Sequence, residues 1–157
     1  SDAHNQKIKL GPITILTIGA YYHSFKCINM HVLLDKKLSH NFTTDKNNIY
    51  NALKSGHSWV SYDYFINSKG FRFILKTKSK TYLIGSRVNL ELGMFFIIKL
   101  PKLAKLLVIK DGEVWRNIIG DYFVIKVEEI GVYRLEVYHQ YGKSWRPWIF
   151  TNSFWLV

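Results

Sequence analysis

From Ser58 to the end of this chain the side chains keep a period of two, and that rhythm narrows the fold more than anything else in it. Phe71, Phe73 and Leu75 are interleaved with Arg72 and Ile74, and Phe96, Ile98 and Leu100 with Ile97 and Lys99. Val132-Tyr133-Arg134-Leu135-Glu136-Val137-Tyr138 alternates almost without fault. Successive side chains of a strand point to opposite faces, so each such run buries one flank and wets the other. Lys110-Asp111-Gly112-Glu113 predicts a two-residue hairpin, because a type I′ turn needs positive φ at both central residues. Its flanks, 106–109 and 114–118, read as strands, as do 122–127 and a closing segment 148–157. Lys76-Thr77-Lys78-Ser79-Lys80 reads as another hairpin tip.

About eight short strands at regular turn spacing make a mainly β protein, an immunoglobulin-like β-sandwich over residues 58–157. Tyr133, two residues after Gly131, stands where such sandwiches place a tyrosine whose hydroxyl ties down the preceding connection. No cysteine follows it two residues later, so the likeness is to the architecture and not to antibody domains.

Before Ser58 the pattern is different. Leu10-Gly11-Pro12 punctuates the chain and sets a boundary after residue 11. Residues 12–57 then read as a connecting α/β segment with two helices. Ile13-Thr14-Ile15-Leu16-Thr17-Ile18 is a strand by its β-branched content. Phe25, Ile28, Val32 and Leu33 fall near helical spacing and predict a helix over 21–34. Thr43, Thr44 and Asp45 are N-cap candidates for a second helix, whose apolar face is Ile49, Ala52 and Leu53. Gly56 is placed to close it in a left-handed conformation.

Composition excludes several classes. Apolar residues make up 48% of the 157, ample for a packed core and against disorder. The single cysteine, Cys27, precludes an intrachain disulfide and reads as a small buried residue of the first helix. No apolar run approaches the roughly 20 residues of a membrane span. The net charge of +11 would attract polyanions. Its carriers are scattered, however, with 17 lysines against 5 arginines, which fits a solvated surface and argues against a nucleic-acid groove.

Chemistry-bearing residues are few. Asp2 and His4 are two apart, so in an extended segment they share one side and can ligate one metal or bridge two. Two ligands fall short of a catalytic site, which needs about three plus water. Ser1-Asp2-Ala3 also reads as a stretch left from cloning. His23 and His31 are spaced to share a helix face in a packing role, and no His-x-x-x-His or Cys-x-x-Cys spacing occurs. Ser58 and Ser61 lack a nucleophile-elbow context.

Asp2-Ala3-His4-Asn5, Gly11-Pro12, Asn29-x-His31, Ala52-Leu53-Lys54-Ser55-Gly56, Ser61-Tyr62-Asp63, Gly70-Phe71-Arg72-Phe73, Gly131-Val132-Tyr133-Arg134 and Arg146-Pro147-Trp148-Ile149-Phe150-Thr151-Asn152-Ser153 follow one another in that order. The series resembles the closing part of the PHP metallohydrolases, the polymerase-and-histidinol-phosphatase superfamily, in the branch with a β-sandwich after the catalytic barrel. The resemblance implies that residues 1–11 carry the last metal-ligand motif of that barrel, Asp2 and His4. It implies divalent metals (zinc, manganese or iron) and phosphoester hydrolysis in the intact parent. It also implies an accessory role for the present chain, which lacks the earlier histidine motifs and is expected to be inert alone. The expected partner is the chain's own N-terminal barrel, with self-association as a further expectation. An alternative reading is a glycan- or polyanion-binding module, with Trp145, Arg146 and Trp148 as its contact residues and lysines as the electrostatic attraction.

Overall fold

A computed structural model describes residues 6–19 and 21–157 of the chain. The protein is mainly β, with two helices and a large curled antiparallel sheet.

A hairpin leads, formed by β1 (Gln6–Leu10) and β2 (Ile13–Ile18), with Gly11-Pro12 as its turn and Leu10 opposite Ile13. These strands pair only with each other. Helix α1 (Tyr21–Cys27) follows and gives way at once to β3 (Ile28–Val32). The helix expected over 21–34 is therefore only half realised. Ile28, Met30 and Val32 fit a strand's alternation as well as a helix's spacing. The strand prevails because β4 (Ser58–Tyr62) offers a free ladder, with Ile28 opposite Tyr62 and Val32 opposite Ser58. His23 and His31 consequently share no helix face. Cys27, the last helical residue, is half-buried and not sealed in a core; its Sγ donates to the carbonyl of His23.

Helix α2 (Phe42–Lys54) begins two residues earlier than Thr43, the first of the expected caps, would set it. Asn41 is the N-cap, its side chain accepting from the amide of Thr44 at 3.0 Å. Asp45 reaches back instead to the amides of Ser39 and His40. Gly56 closes the helix at φ +70°, as expected. Gly85 (φ +96°) lies against this terminus, where an added Cβ would come 2.1 Å from the carbonyl oxygen of Ser55.

The sandwich proper is built on β5 (Arg72–Lys76), β6 (Thr81–Leu83), β7 (Arg87–Val88), β8 (Met94–Lys110), β9 (Glu113–Val127), β10 (Gly131–Tyr141), β11 (Ser144–Thr151) and β12 (Phe154–Leu156). The sequence suggests four separate strands between residues 96 and 127; the structure has two long ones, β8 and β9, joined through Asp111 (φ 51°) and Gly112 (φ 92°). Midway the hairpin bends: β8 advances from Lys99 to Ala104 while β9 moves only from Tyr122 to Gly120. Beside this irregularity, β8 changes neighbour. Its first half pairs with β5 and its second half with β10, so one strand belongs to both layers.

The core lies inside the curl. Phe73 and Phe96 from one half meet Phe154 and Tyr133 from the other, with ring centroids 5.0–5.5 Å apart. All four side chains are fully buried. Tyr133 donates its hydroxyl to the carbonyl of Glu129 at 2.9 Å, the corner expected from its position after Gly131.

Candidate functional site

The strands that make the seam between the connecting segment and the sandwich carry the densest polar cluster of the described residues. On β3, Asn29 and His31 point one way and Ile28 and Met30 the other. On β4, Trp59 and Ser61 face inward, while Val60 and Tyr62 face outward. Antiparallel pairing sets Asn29 opposite Ser61 and His31 opposite Trp59. Two polar motifs thirty residues apart in the chain, Asn29-x-His31 and Ser61-Tyr62-Asp63, thus become one cluster.

Asp63 is its hub. The Nε2 of His31 lies 2.7 Å from Asp63 Oδ2, and the Nδ2 of Asn29 donates to the same oxygen at 3.3 Å. Ser61 donates its hydroxyl to Oδ1 at 2.5 Å, and the backbone amide of Ser68 donates there at 3.1 Å. Ser68 Oγ lies 2.9 Å from Ser61 Oγ and accepts from the indole nitrogen of Trp59 at 3.4 Å. One consistent direction satisfies every member: Trp59 donates to Ser68, Ser68 to Ser61, and Ser61 to Asp63, while His31 donates from Nε2. Full satisfaction matters because Ser61 and Ser68 are completely buried, and an unpaired buried hydroxyl would cost about 1–3 kcal/mol. The ring of His31 also stacks on Trp59, centroids 4.9 Å apart and planes nearly parallel.

Burial pushes the Asp63 carboxyl upward. The hydrogen bonds from Ser61, His31 and the Ser68 amide, with the charge of His31, outweigh it and hold the group below the ordinary carboxylate range.

Serine, histidine and aspartate side by side invite comparison with a hydrolase triad. That mechanism needs the imidazole between the other two, one ring nitrogen on each. Here the same nitrogen, Nε2, faces both Asp63 and Ser61, and Ser61 is fully buried. The cluster is suited to joining β3 to the sandwich and not to nucleophilic attack. It is equally unsuited to catalytic metal binding, since His31 and Asp63 are two donors already engaged with each other. Among the described residues no group of three or more His, Cys, Asp and Glu gathers to hold an ion. Asp2 and His4 lie outside the described residues.

On the outward side of β4 is a groove of about 460 Å³, walled by Ile28, Val60, Tyr62, Phe65, Tyr141 and Phe150. Ser61, Arg146, Pro147 and Trp148 complete it. Of the three contact residues suggested by the sequence, Arg146 is exposed and Trp145 half-buried. Trp148 is not a stacking platform: it is 1% exposed, and its indole nitrogen donates to the carbonyl of Ile66 at 2.9 Å. Trp148 lies within β11, where its large ring fills the interior. The groove itself went unread in the sequence. The available signal was the apolar outward set Ile28, Val60, Tyr62 and Phe150, on strands whose inward set was already apolar or engaged.

Comparison with protein-family models, with curated proteins and with solved structures found no match for this chain.

Proposed function

We propose that this chain is a non-catalytic accessory domain of a PHP-type metal-dependent hydrolase, and that its connecting segment packs on the catalytic barrel of the parent protein. One observation carries the reading. Among the described residues between 6 and 57 the only buried apolar side chain is Ala52, although the segment is rich in apolar residues. Leu10, Ile13, Tyr22, Phe25, Met30 and Phe42 are all more than half exposed. Apolar surface on this scale marks an interaction site. A two-stranded hairpin such as β1–β2 is marginal in water without something to pack on. The ordered series of motifs from Asp2 to Ser153 supplies the family; the bare segment supplies the need for a partner body. In the intact parent, Asp2 and His4 would join ligands from the barrel to hold zinc, manganese or iron, which would activate water.

The test uses the 157-residue chain and the same chain joined to the region encoded upstream. The shorter protein should neither bind manganese or zinc stoichiometrically nor hydrolyse a phosphomonoester. The longer one should do both, and its binding of a dye for exposed apolar surface should fall. Turnover by the shorter protein, or an upstream region without histidine-rich motifs, would overturn the proposal.

A further inference from the structure

The outer edge of β9 offers a second surface, unrelated to the connecting segment. β8 lies along one side of β9, and no other strand among the described residues pairs with β9. None of the backbone hydrogen bonds among the described residues that lie outside regular elements involves Glu113–Val127. A strand this long with an open row of donors and acceptors is a template for another strand. The usual safeguards are weak, for β9 contains no proline, and Val114, Ile119, Tyr122 and Val124 are each 55–59% exposed.

We propose that β9 pairs antiparallel with β9 of a second copy of this chain, about a two-fold axis at Val124. Two features select a second copy as the occupant. The first is charge. The chain carries +11 overall, so two copies repel over most of their surface, but β9 is balanced, with Glu113 and Asp121 against Arg116 and Lys126. The second is register. The regular half of β9, residues 122–127, pairs with the opposing half of β8 without a shift and alternates cleanly. A two-fold through Val124 sets Val124 against itself, Tyr122 against Lys126, and Phe123 against Ile125. Tyr122, Val124 and Lys126 are all exposed, so an aromatic face meets an ammonium on each side of an apolar centre. Phe123 and Ile125 are half-buried against the core, and pairing would cover what they still show.

The pairing predicts a crosslink. Directly opposed residues of antiparallel strands have Cα atoms about 4.5–5.5 Å apart, within the range a disulfide spans. In a Cys27→Ser background, Val124→Cys should give a disulfide-linked dimer on mild oxidation, whereas Val114→Cys, equally exposed but far from the axis, should not. Sedimentation of the unaltered chain should show mass doubling at high concentration, and Val124→Lys, which sets two ammonium groups face to face, should abolish it. A monomer at every concentration would overturn the proposal. So would a dimer that survives Val124→Lys, which would locate self-association at the bare connecting segment instead. Equal crosslinking at positions 114 and 124 would mean collision without a register and would also overturn it.

Discussion

Residues 6–57 and 58–157 are built from similar material and use it in opposite ways. In the second region five large aromatic residues are internal: Phe73, Phe96, Tyr133, Trp148 and Phe154 are sealed between the two halves of the curled sheet. In the first, Tyr21, Tyr22, Phe25, Phe42 and Tyr50 lie open to solvent. The difference is not one of propensity, because both regions form regular elements. It is one of closure. The β8–β9 hairpin bends back and supplies the sandwich with its own opposite wall, whereas among the described residues no second layer covers β1, β2, α1 and α2. The lesson is that regular secondary structure in the first region forms while most of its apolar surface stays exposed.

The widest contrast comes from removing the same side chain in each region. Phe96→Ala should cost about 3–5 kcal/mol, the usual price of an emptied aromatic site in a core. Phe25→Ala, at an exposed helical position, should change stability by less than about 0.5 kcal/mol. Urea unfolding of the two variants measures both. If Phe25→Ala approached the cost of Phe96→Ala, the first region would already be covered in solution, and the comparison would break.

The contact between the regions comes next. Gly85 touches the end of α2 so closely that a methyl group would overlap the carbonyl of Ser55, and its φ of +96° is strained for any other residue. Gly85→Ala should therefore cost roughly 2–4 kcal/mol from strain and clash together. The damage should spread to α2, seen as faster amide exchange at residues 42–54. Exchange confined to residues near 85 would mean that the helix is not held there.

These contrasts also explain what the sequence could disclose. The sandwich was legible because alternation is a local signal, repeated strand after strand, and because Asp111-Gly112 and Gly131-x-Tyr133 carry their turn chemistry in adjacent residues. The joining of four strand segments into β8 and β9 was not, since a strand that bends through an irregularity at 100–103 looks from within like two strands. Residues 28–32 misled for a different reason. Their spacing satisfies both periods, and the choice was made by β4, which is distant in the chain. The polar cluster shows the same limit. Polar residues two apart on otherwise apolar strands, Asn29 with His31 and Ser61 with Asp63, were visible as motifs, but only the register of β3 on β4 brings them to one carboxylate.

That cluster gives a smaller and pH-dependent effect. Asp63→Asn should cost about 1–3 kcal/mol, because the replacement amide cannot accept from Ser61, Ser68 and His31 as a carboxylate does. The folded protein holds the Asp63 carboxyl below its ordinary value, so its contribution is complete above the unfolded value, about pH 4, and is lost as pH falls through the lower folded one. The unaltered chain should thus lose stability on acidification in that window. The Asn variant should start lower and show a shallower decline. Parallel curves would mean that other carboxylates set the acid limit and that the seam is held by packing alone.

Tyr133→Phe should have the smallest effect and lies wholly within the second region. The change keeps the ring between Phe96 and Trp115 and removes only the hydroxyl that donates to Glu129. A single net hydrogen bond is worth about 1 kcal/mol. The turn has other ties: Asp111 accepts from the amide of Val132 at 2.8 Å, and Lys110 pairs with Glu129. The variant should unfold at lower urea with an unchanged slope, because no additional surface is exposed. Proteolysis of residues 6–57 should proceed at the rate of the unaltered chain, in contrast to Asp63→Asn, which should speed it by loosening β3. Acceleration by Tyr133→Phe as well would show that the regions share one cooperative unit, making the missing second layer a matter of solvent exposure and not of separate stability.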